Sequence, residues 1–355
     1  MVWTFIGGLV ALVAGAELLV RGASRLALSL GISPLVVGLT IVAFGTSAPE
    51  VAVSVGAVLE GQINIAVGNV VGSNIFNVLF ILGLSALITP LVVHSQIIRQ
   101  EVPIMIGASL LLLVQGLDGV LGLFDAALLA ALLIAYTVFL ILQSRREAAG
   151  EPDAGSQSTS VAGKWTSHWA VQLLLIAAGL GLLVLGSQWL VQSAVTFARL
   201  IGVSDLVIGL TIVAAGTSMP EVATSVMAAL RKERDIAIGN VVGSCTFNIL
   251  GCLGIAGLAS AQGLSLAPAV LNFDIWVMLA VSFACLPVFI SGREIARWEG
   301  GVFLAYYAAY ATYLIMAAQS HERLAQFSAV MMSFVLPITV ITLTVVLLRP
   351  AVRRG

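Results

Sequence analysis

Eleven stretches of this 355-residue chain are apolar enough to cross a bilayer, and they follow one another with short polar breaks. A crossing needs an apolar run of about 20 residues. The runs here read as 2–20, 34–59, 63–88, 102–116, 122–142, 168–198, 205–230, 234–260, 272–291, 300–318 and 326–348. Charged residues make up only 9% of the chain and hydrophobic ones 60%, against roughly 25% charged in a typical soluble domain. The expected class is an all-α polytopic membrane protein. The N-terminal Met-Val-Trp-Thr-Phe lacks the basic region of a signal peptide, so the first span is read as retained. Cys245, Cys252 and Cys285 all fall inside spans at no metal or redox spacing and read as small packing residues. Nothing in the chain suggests nucleic-acid binding, and no cofactor or obligatory protein partner is implied.

The chain repeats itself. Gly38-Leu-Thr-Ile-Val-Ala-Phe-Gly-Thr-Ser-Ala-Pro-Glu50 returns 171 positions later as Gly209-Leu-Thr-Ile-Val-Ala-Ala-Gly-Thr-Ser-Met-Pro-Glu221. With the same offset Gly68-Asn-Val-Val-Gly-Ser-Asn-Ile-Phe-Asn77 returns as Gly239-Asn-Val-Val-Gly-Ser-Cys-Thr-Phe-Asn248, and residues 34–83 match 205–254 at 32 of 50 positions without a gap. The organisation expected is a first five-span unit over 1–142, its motif at 38–83, and a second over 168–318, its motif at 209–254. A hydrophilic segment, 143–167, rich in Gly, Ser and Ala, reads as a flexible cytoplasmic linker. The extra span at 326–348 lies outside both units and is expected at the periphery.

Basic residues orient the spans, because Lys and Arg collect on the cytoplasmic side. With the N-terminus outside and the C-terminus in the cytoplasm, fourteen Lys and Arg fall in cytoplasmic segments and only Arg199 and Arg323 in outer ones. The same charges relate the halves. Arg21 and Arg25 precede the first motif span, where the second half has Gln192 and Thr196. Beyond the motif span the first half has Glu60, Gly61 and Ile63, the second Arg231, Lys232 and Arg234. The positive end has switched while the motif stayed the same, so the two units are inverted, as an odd number of spans per unit requires. Inverted repeats of this kind recur in secondary transporters, with the ion or substrate site at their interface near the midplane.

Each motif carries a carboxylate beside a proline. Pro49 has no N–H and its ring disfavours the carbonyl four residues earlier, so the helix is expected to open around Gly45. That opening is expected to free the carbonyls of Ala43 and Thr46, a backbone irregularity tolerated at membrane depth only in a protein-lined cavity. Ser47 and Glu50, three apart, lie near one face, and Ala214, Thr217, Ser218, Pro220 and Glu221 repeat the arrangement. In the following spans Ser73 and Asn77, and Ser244 and Asn248, stand at i, i+4. Gly68 and Gly72, with Gly239 and Gly243, allow close helix approach. A buried glutamate costs about 3 kcal/mol at the bilayer centre, which argues against Glu50 and Glu221 as packing residues. Taken singly the prolines could be ordinary kinks, the serines bonded to helix backbone and the asparagines interhelical ties, but in this context the functional reading is favoured for each. Together these groups make an all-oxygen set without thiolate or imidazole, suited to Ca²⁺ or Na⁺. Glu17 pairs locally with Arg21, and Asp125, Asp205, Asp235 and Asp274 near span ends read as solvated. Trp3, Trp165, Trp169 and Trp298 fit an interfacial belt.

The doubled Gly-Thr-Ser-x-Pro-Glu and Gly-Asn-x-x-Gly-Ser-x-x-x-Asn pair resembles the alpha repeats of the cation/calcium exchanger superfamily, in its sodium/calcium exchanger branch. That resemblance covers residues 1–318 and implies a ten-helix inverted-repeat core exchanging Ca²⁺ for Na⁺ by alternating access in a prokaryotic plasma membrane. Carried over by position, it implies Ca²⁺ ligands from the side chains of Glu50 and Glu221 and the carbonyls of Thr46 and Thr217. It implies Na⁺ sites adding Ser47, Ser73, Ser218, Ser244 and the carbonyls of Ala43 and Ala214, with Asn77 and Asn248 lining the middle. The chain departs from the pattern at Asn248, where this branch commonly has Asp. Two carboxylates balance one Ca²⁺, two Na⁺ or two protons, so three Na⁺ for one Ca²⁺ is not expected. Cys245-Thr246 also replace Asn74-Ile75.

On this reading Ca²⁺ bridges Glu50 and Glu221, Na⁺ takes overlapping positions in its place, and spans 1 and 6 slide. Ca²⁺/H⁺ exchange is the nearest rival, because two carboxylates held together share charge poorly and a proton can serve as counter-ion. A Ca²⁺ channel fits an inverted repeat less well, an intramembrane aspartyl protease lacks its paired aspartates, and a structural protein has no need of two buried Glu-Pro kinks.

Overall fold

A computed structural model describes residues 2–150, 169–200 and 214–348. Among these, nine helices are long and apolar enough to cross a membrane, and a tenth crossing is made by a pair bent by 41°. In chain order they are α1 (Val2–Leu30), the bent pair α2 (Pro34–Thr46) and α3 (Ala48–Leu59), α4 (Ile63–Ile88), α5 (Ile97–Asp118), α6 (Leu123–Gly150) and α7 (Trp169–Leu200). After residues outside the description come α8 (Ala214–Thr217), α9 (Met219–Leu230), α10 (Arg234–Ala259), α11 (Val270–Ile290), α12 (Arg297–Ala318) and α13 (Leu324–Val345). The first part of the seventh expected span lies outside the described residues, as does most of the expected linker.

Two helices run past their apolar stretches. α1 continues ten residues beyond the expected end, carrying Arg21 and Arg25 on the additional turns. It stops where Gly31 adopts φ +63°, followed by Ser33 capping the next helix on Val36 N–H ahead of Pro34. Only a residue without a side chain takes that backbone cheaply. α6 takes in Gln143–Gly150, the start of the expected linker, because Gln, Arg, Glu and Ala there are strong helix formers.

α1 and α7, related by the 171-residue offset, cross antiparallel with their backbones nearly touching. A Cβ on Gly8 would lie 2.9 Å from the Gly186 carbonyl oxygen, and one on Gly15 2.8 Å from that of Gly179. The pairing exchanges under the offset, since Gly8 corresponds to Gly179 and Gly15 to Gly186. Gly239 and Gly243 likewise sit against Leu35 and Leu39. The segment that corresponds to 35–39 and would face Gly68 and Gly72 lies outside the described residues.

Two short antiparallel ties hold the bundle at its ends. β1 (Leu91–Val92) pairs with β4 (Glu294–Ile295), and β2 (Val120–Leu121) with β3 (Leu264–Ser265). Each tie requires its two loops to lie at the same end of the bundle, as the span order of the sequence reading demands. α4 and α10 form the centre, with 72% and 89% of their most apolar 18 residues buried. α13 has none of its most apolar 18 residues buried and is attached at the edge, where Tyr306 Oη meets Thr339 Oγ1. Trp3, Trp169 and Trp298 are exposed, and Trp165 lies outside the described residues. Asp274 is more enclosed than expected, accepting a 2.8 Å hydrogen bond from Tyr310.

Candidate cation-binding site

The two Pro-Glu segments meet at the centre of the bundle, each at a helix break. Ser47 (φ −84°, ψ 4°) separates α2 from α3, and Ser218 (φ −88°, ψ 10°) separates α8 from α9. The chain thus opens two residues later than Gly45, where the proline rule placed it. The Ala43 carbonyl still accepts the Ser47 N–H at 3.0 Å, so the break does not free it. The carbonyl that Pro49 leaves without a helix donor is that of Gly45 itself. Its counterpart on Gly216 accepts a 2.6 Å bond from Ser187 Oγ of α7. The offset puts Ala16 opposite Ser187, so no such hydroxyl serves Gly45.

Serine three residues before glutamate at a helix start is the pattern of a capping box, yet neither Ser47 nor Ser218 caps its own helix. Their hydroxyls cross instead. Ser47 Oγ donates to Glu221 Oε1 at 3.1 Å, and Ser218 Oγ donates to Glu50 Oε1 at 2.9 Å. Each carboxylate therefore lies at the break belonging to the other half, and both are fully buried. Helix starts of α3 and α9, whose partial positive ends suit carboxylates, converge with the carbonyl ends of α2 and α8, which suit cations.

Asn69 and Asn240 complete the frame and were not singled out from the sequence. Asn240 Nδ2 donates to Ser225 Oγ at 2.9 Å and to the Glu221 carbonyl at 3.5 Å, while its Oδ1 accepts from Thr46 Oγ1 at 3.1 Å. Asn69 Nδ2 donates to Ser54 Oγ at 3.1 Å and to the Glu50 carbonyl at 3.4 Å, and its Oδ1 accepts from Thr217 Oγ1 at 3.4 Å. Each amide ties its own half's carboxylate helix to the other half's threonine. The signal was present: Asn69 stands four residues before Ser73 on one helix face, and recurs as Asn240.

The remaining expected residues divide unequally. Ser73 Oγ is hydrogen-bonded to Ser218 Oγ at 3.3 Å, whereas buried Ser244 Oγ has no protein partner. Asn77 and Asn248 each begin a π-helical turn, over Asn77–Leu82 and Asn248–Leu253, a distortion frequent at functional sites. The Asn77 amide has no protein partner on either atom. Asn248 Nδ2 donates to Asn74 Oδ1 at 3.3 Å, and its Oδ1 accepts from Cys252 Sγ at 3.5 Å. Asn74, which lacks a counterpart, also donates to the Cys245 carbonyl at 3.2 Å. Ala214 begins α8, one turn before the break.

Glu50 Oε2, Glu221 Oε2, Ser244 Oγ and both Asn77 amide atoms are therefore buried polar atoms with no protein hydrogen bond. Leaving a buried carboxylate oxygen unpaired is costly. Oxygen atoms from both halves, two of them on carboxyl groups, are what a hard cation offsets best.

The family profile described as sodium/calcium exchanger protein matches residues 1–142 and 171–316. A putative antiporter, CaxA, of Alkalimonas amylolytica is 38% identical over 314 residues, covering 88% of this chain and 97% of that protein. The sodium/calcium exchanger MaX1 of Methanosarcina acetivorans is 35% identical over 334 residues, covering 85% of this chain and 95% of its own. Among solved structures, the sodium-calcium exchanger NCX_Mj soaked with Na⁺ and Sr²⁺ superposes with a TM-score of 0.74 at 30% identity, covering 89% of this chain and 97% of that one.

Proposed function

This chain belongs to the sodium/calcium exchanger family of integral membrane cation/Ca²⁺ antiporters, and we propose that its counter-ion is Na⁺ and its site the Glu50–Glu221 pair. The observation that carries the proposal is the crossed pair of hydrogen bonds, Ser47 to Glu221 and Ser218 to Glu50, which makes one site from two halves. Ca²⁺ takes both carboxylates together with the carbonyls of Thr46 and Thr217. Na⁺ takes overlapping positions that draw on Ser47, Ser218, Ser73, Ser244 and the carbonyls of Ala214 and Ala43, the latter through the lone pair that the Ser47 N–H leaves unused, Asn77 and Asn248 lining the middle. Because both ions need the same two oxygens, one excludes the other. An empty site holding two buried charges resists reorientation, so the carrier crosses loaded and exchange results rather than uniport.

Two carboxylates neutralise one Ca²⁺ or two Na⁺, so the exchange carries two Na⁺ per Ca²⁺ and moves no net charge. The N-terminus faces outward and the C-terminus the cytoplasm, on the fourteen-to-two division of basic residues. Ca²⁺/H⁺ exchange is the second reading, favoured by the amide at Asn248. Uptake of ⁴⁵Ca²⁺ into proteoliposomes under separately imposed Na⁺, K⁺ and pH gradients decides between them. Uptake driven by outward Na⁺ alone supports the proposal; uptake driven by a pH gradient in Na⁺-free medium replaces Na⁺ with H⁺.

A further inference from the structure

Away from the central site, a cavity of about 410 Å³ lies between α1 and the turn joining α9 to α10, lined by Val20, Arg21, Ser24, Arg25, Arg231 and Glu233. Its charges are not balanced. Glu17 is shared by two arginines, Arg21 at 2.5 Å and Arg231, whose Nε and one terminal nitrogen face the two carboxylate oxygens. Glu233 accepts from Ser24 Oγ at 2.9 Å. Arg25 has no ion pair or hydrogen bond among the described residues. Three guanidinium groups thus face one concavity against two carboxylates, and Lys232 extends the positive turn from a left-handed backbone (φ +64°).

The offset supplies a control within the molecule. Glu17, Arg21, Arg25 and Arg231 correspond to Gln188, Gln192, Thr196 and Glu60, so the opposite end of the bundle has no arginine cluster. Packing of inverted halves does not demand one. The cluster also sits at the end to which the other basic residues belong, where anionic headgroups lie against a membrane protein. Basic pockets between helices at that level accept phosphate-bearing headgroups, and the planar fork of arginine matches phosphate oxygens two at a time.

We propose that this cavity binds a phosphoryl group, held by Arg25 and Arg231 with Arg21 at its edge. Phosphate oxygens there compete with Glu17 for Arg231. The Glu17–Arg231 pair is one of two polar ties between α1 and the second half's turn, Ser24 to Glu233 being the other, so the bound anion loosens the hold on the helix that packs against α7. The shared chemistry has two sources, an anionic phospholipid or free phosphate. This site is independent of the identity of the counter-ion, and its test reads binding rather than transport.

Full-length protein in neutral detergent is titrated with phosphatidylglycerol, with phosphatidylcholine and with inorganic phosphate, followed by native mass spectrometry for the lipids and by melting temperature for phosphate. Preference for phosphatidylglycerol over phosphatidylcholine identifies a headgroup; saturable stabilisation by inorganic phosphate at constant ionic strength identifies the free ion. Arg25→Gln weakens the response about fivefold, the effect of one basic residue on an anionic headgroup. Arg25→Lys, which keeps the charge and guards against a folding defect, loses less. Equal binding of both lipids together with no response to phosphate, or an undiminished response in Arg25→Gln, overturns the proposal.

Discussion

The two helix breaks are built on one plan and finished differently. At both, serine crosses to the opposite carboxylate and asparagine ties that carboxylate's helix to the opposite threonine, with corresponding distances within about 0.3 Å (2.9 and 3.1, 3.1 and 3.4). Around that common frame the halves are satisfied at different groups, Ser73 being bonded where Ser244 is not and the second half being the better served at its break carbonyl and its asparagine. Ser187 occupies the Gly216 carbonyl, and Asn248 is engaged by Asn74 and Cys252. In the first half Ala16 stands where Ser187 would, and Asn77 is unengaged. The groups duplicated are those expected to touch the ion. The groups that differ surround that frame rather than belong to it.

That comparison can be broken most severely at the carboxylates. Glu50→Gln and Glu221→Gln should each cut Ca²⁺ exchange by at least about 100-fold, the loss of about 3 kcal/mol from one charged ligand. Equal losses are expected because the halves contribute equally; a variant that keeps exchange in flux assays removes its residue from the site. Asn248→Asp sharpens the difference between halves by adding the third charge. We expect Ca²⁺ to bind about tenfold more tightly, for about 1.4 kcal/mol of added attraction, and transport to become current-generating with three Na⁺. Electroneutral exchange in that variant, measured as absence of current on a solid-supported membrane, would set the stoichiometry elsewhere.

Smaller effects test the frame. Asn69→Ala and Asn240→Ala should each weaken apparent Ca²⁺ affinity about fivefold, at about 1 kcal/mol for the net loss of hydrogen bonds. A much larger loss on one side, in radiotracer competition, would mean the two clamps do different work. Ser187→Ala should be mildest. It uncovers the Gly216 carbonyl, costs about 1 kcal/mol and lowers the melting temperature by about 2 °C, making the second break resemble the first.

Much of this arrangement was legible in the sequence because apolar length, charge bias and an ungapped repeat are local or countable properties. Glu50, Glu221 and their serines followed from a proline inside an apolar run. What escaped was tertiary. The Ser47–Glu50 spacing looks like a local cap, and only the opposing half reveals that the hydroxyl serves another helix. Asn69 and Asn240 stand inside the Gly-Asn-x-x-Gly-Ser motif, but their bonds reach three segments at once. Ala43 was expected to lose its helix donor, yet the chain opened after it, at Ser47. The i, i+4 spacing of Glu17 and Arg21 announces their ion pair; the second partner of Glu17, Arg231, lies 214 residues away and no local spacing announces it.

The central claim is that two halves make one site. Equilibrium Ca²⁺ binding to the purified protein, with Na⁺ as competitor, tests it most directly. The account predicts one Ca²⁺ per chain, displaced competitively by Na⁺ and lost in both Glu50→Gln and Glu221→Gln. Two Ca²⁺ per chain, with each substitution removing one and leaving the other intact, would contradict it.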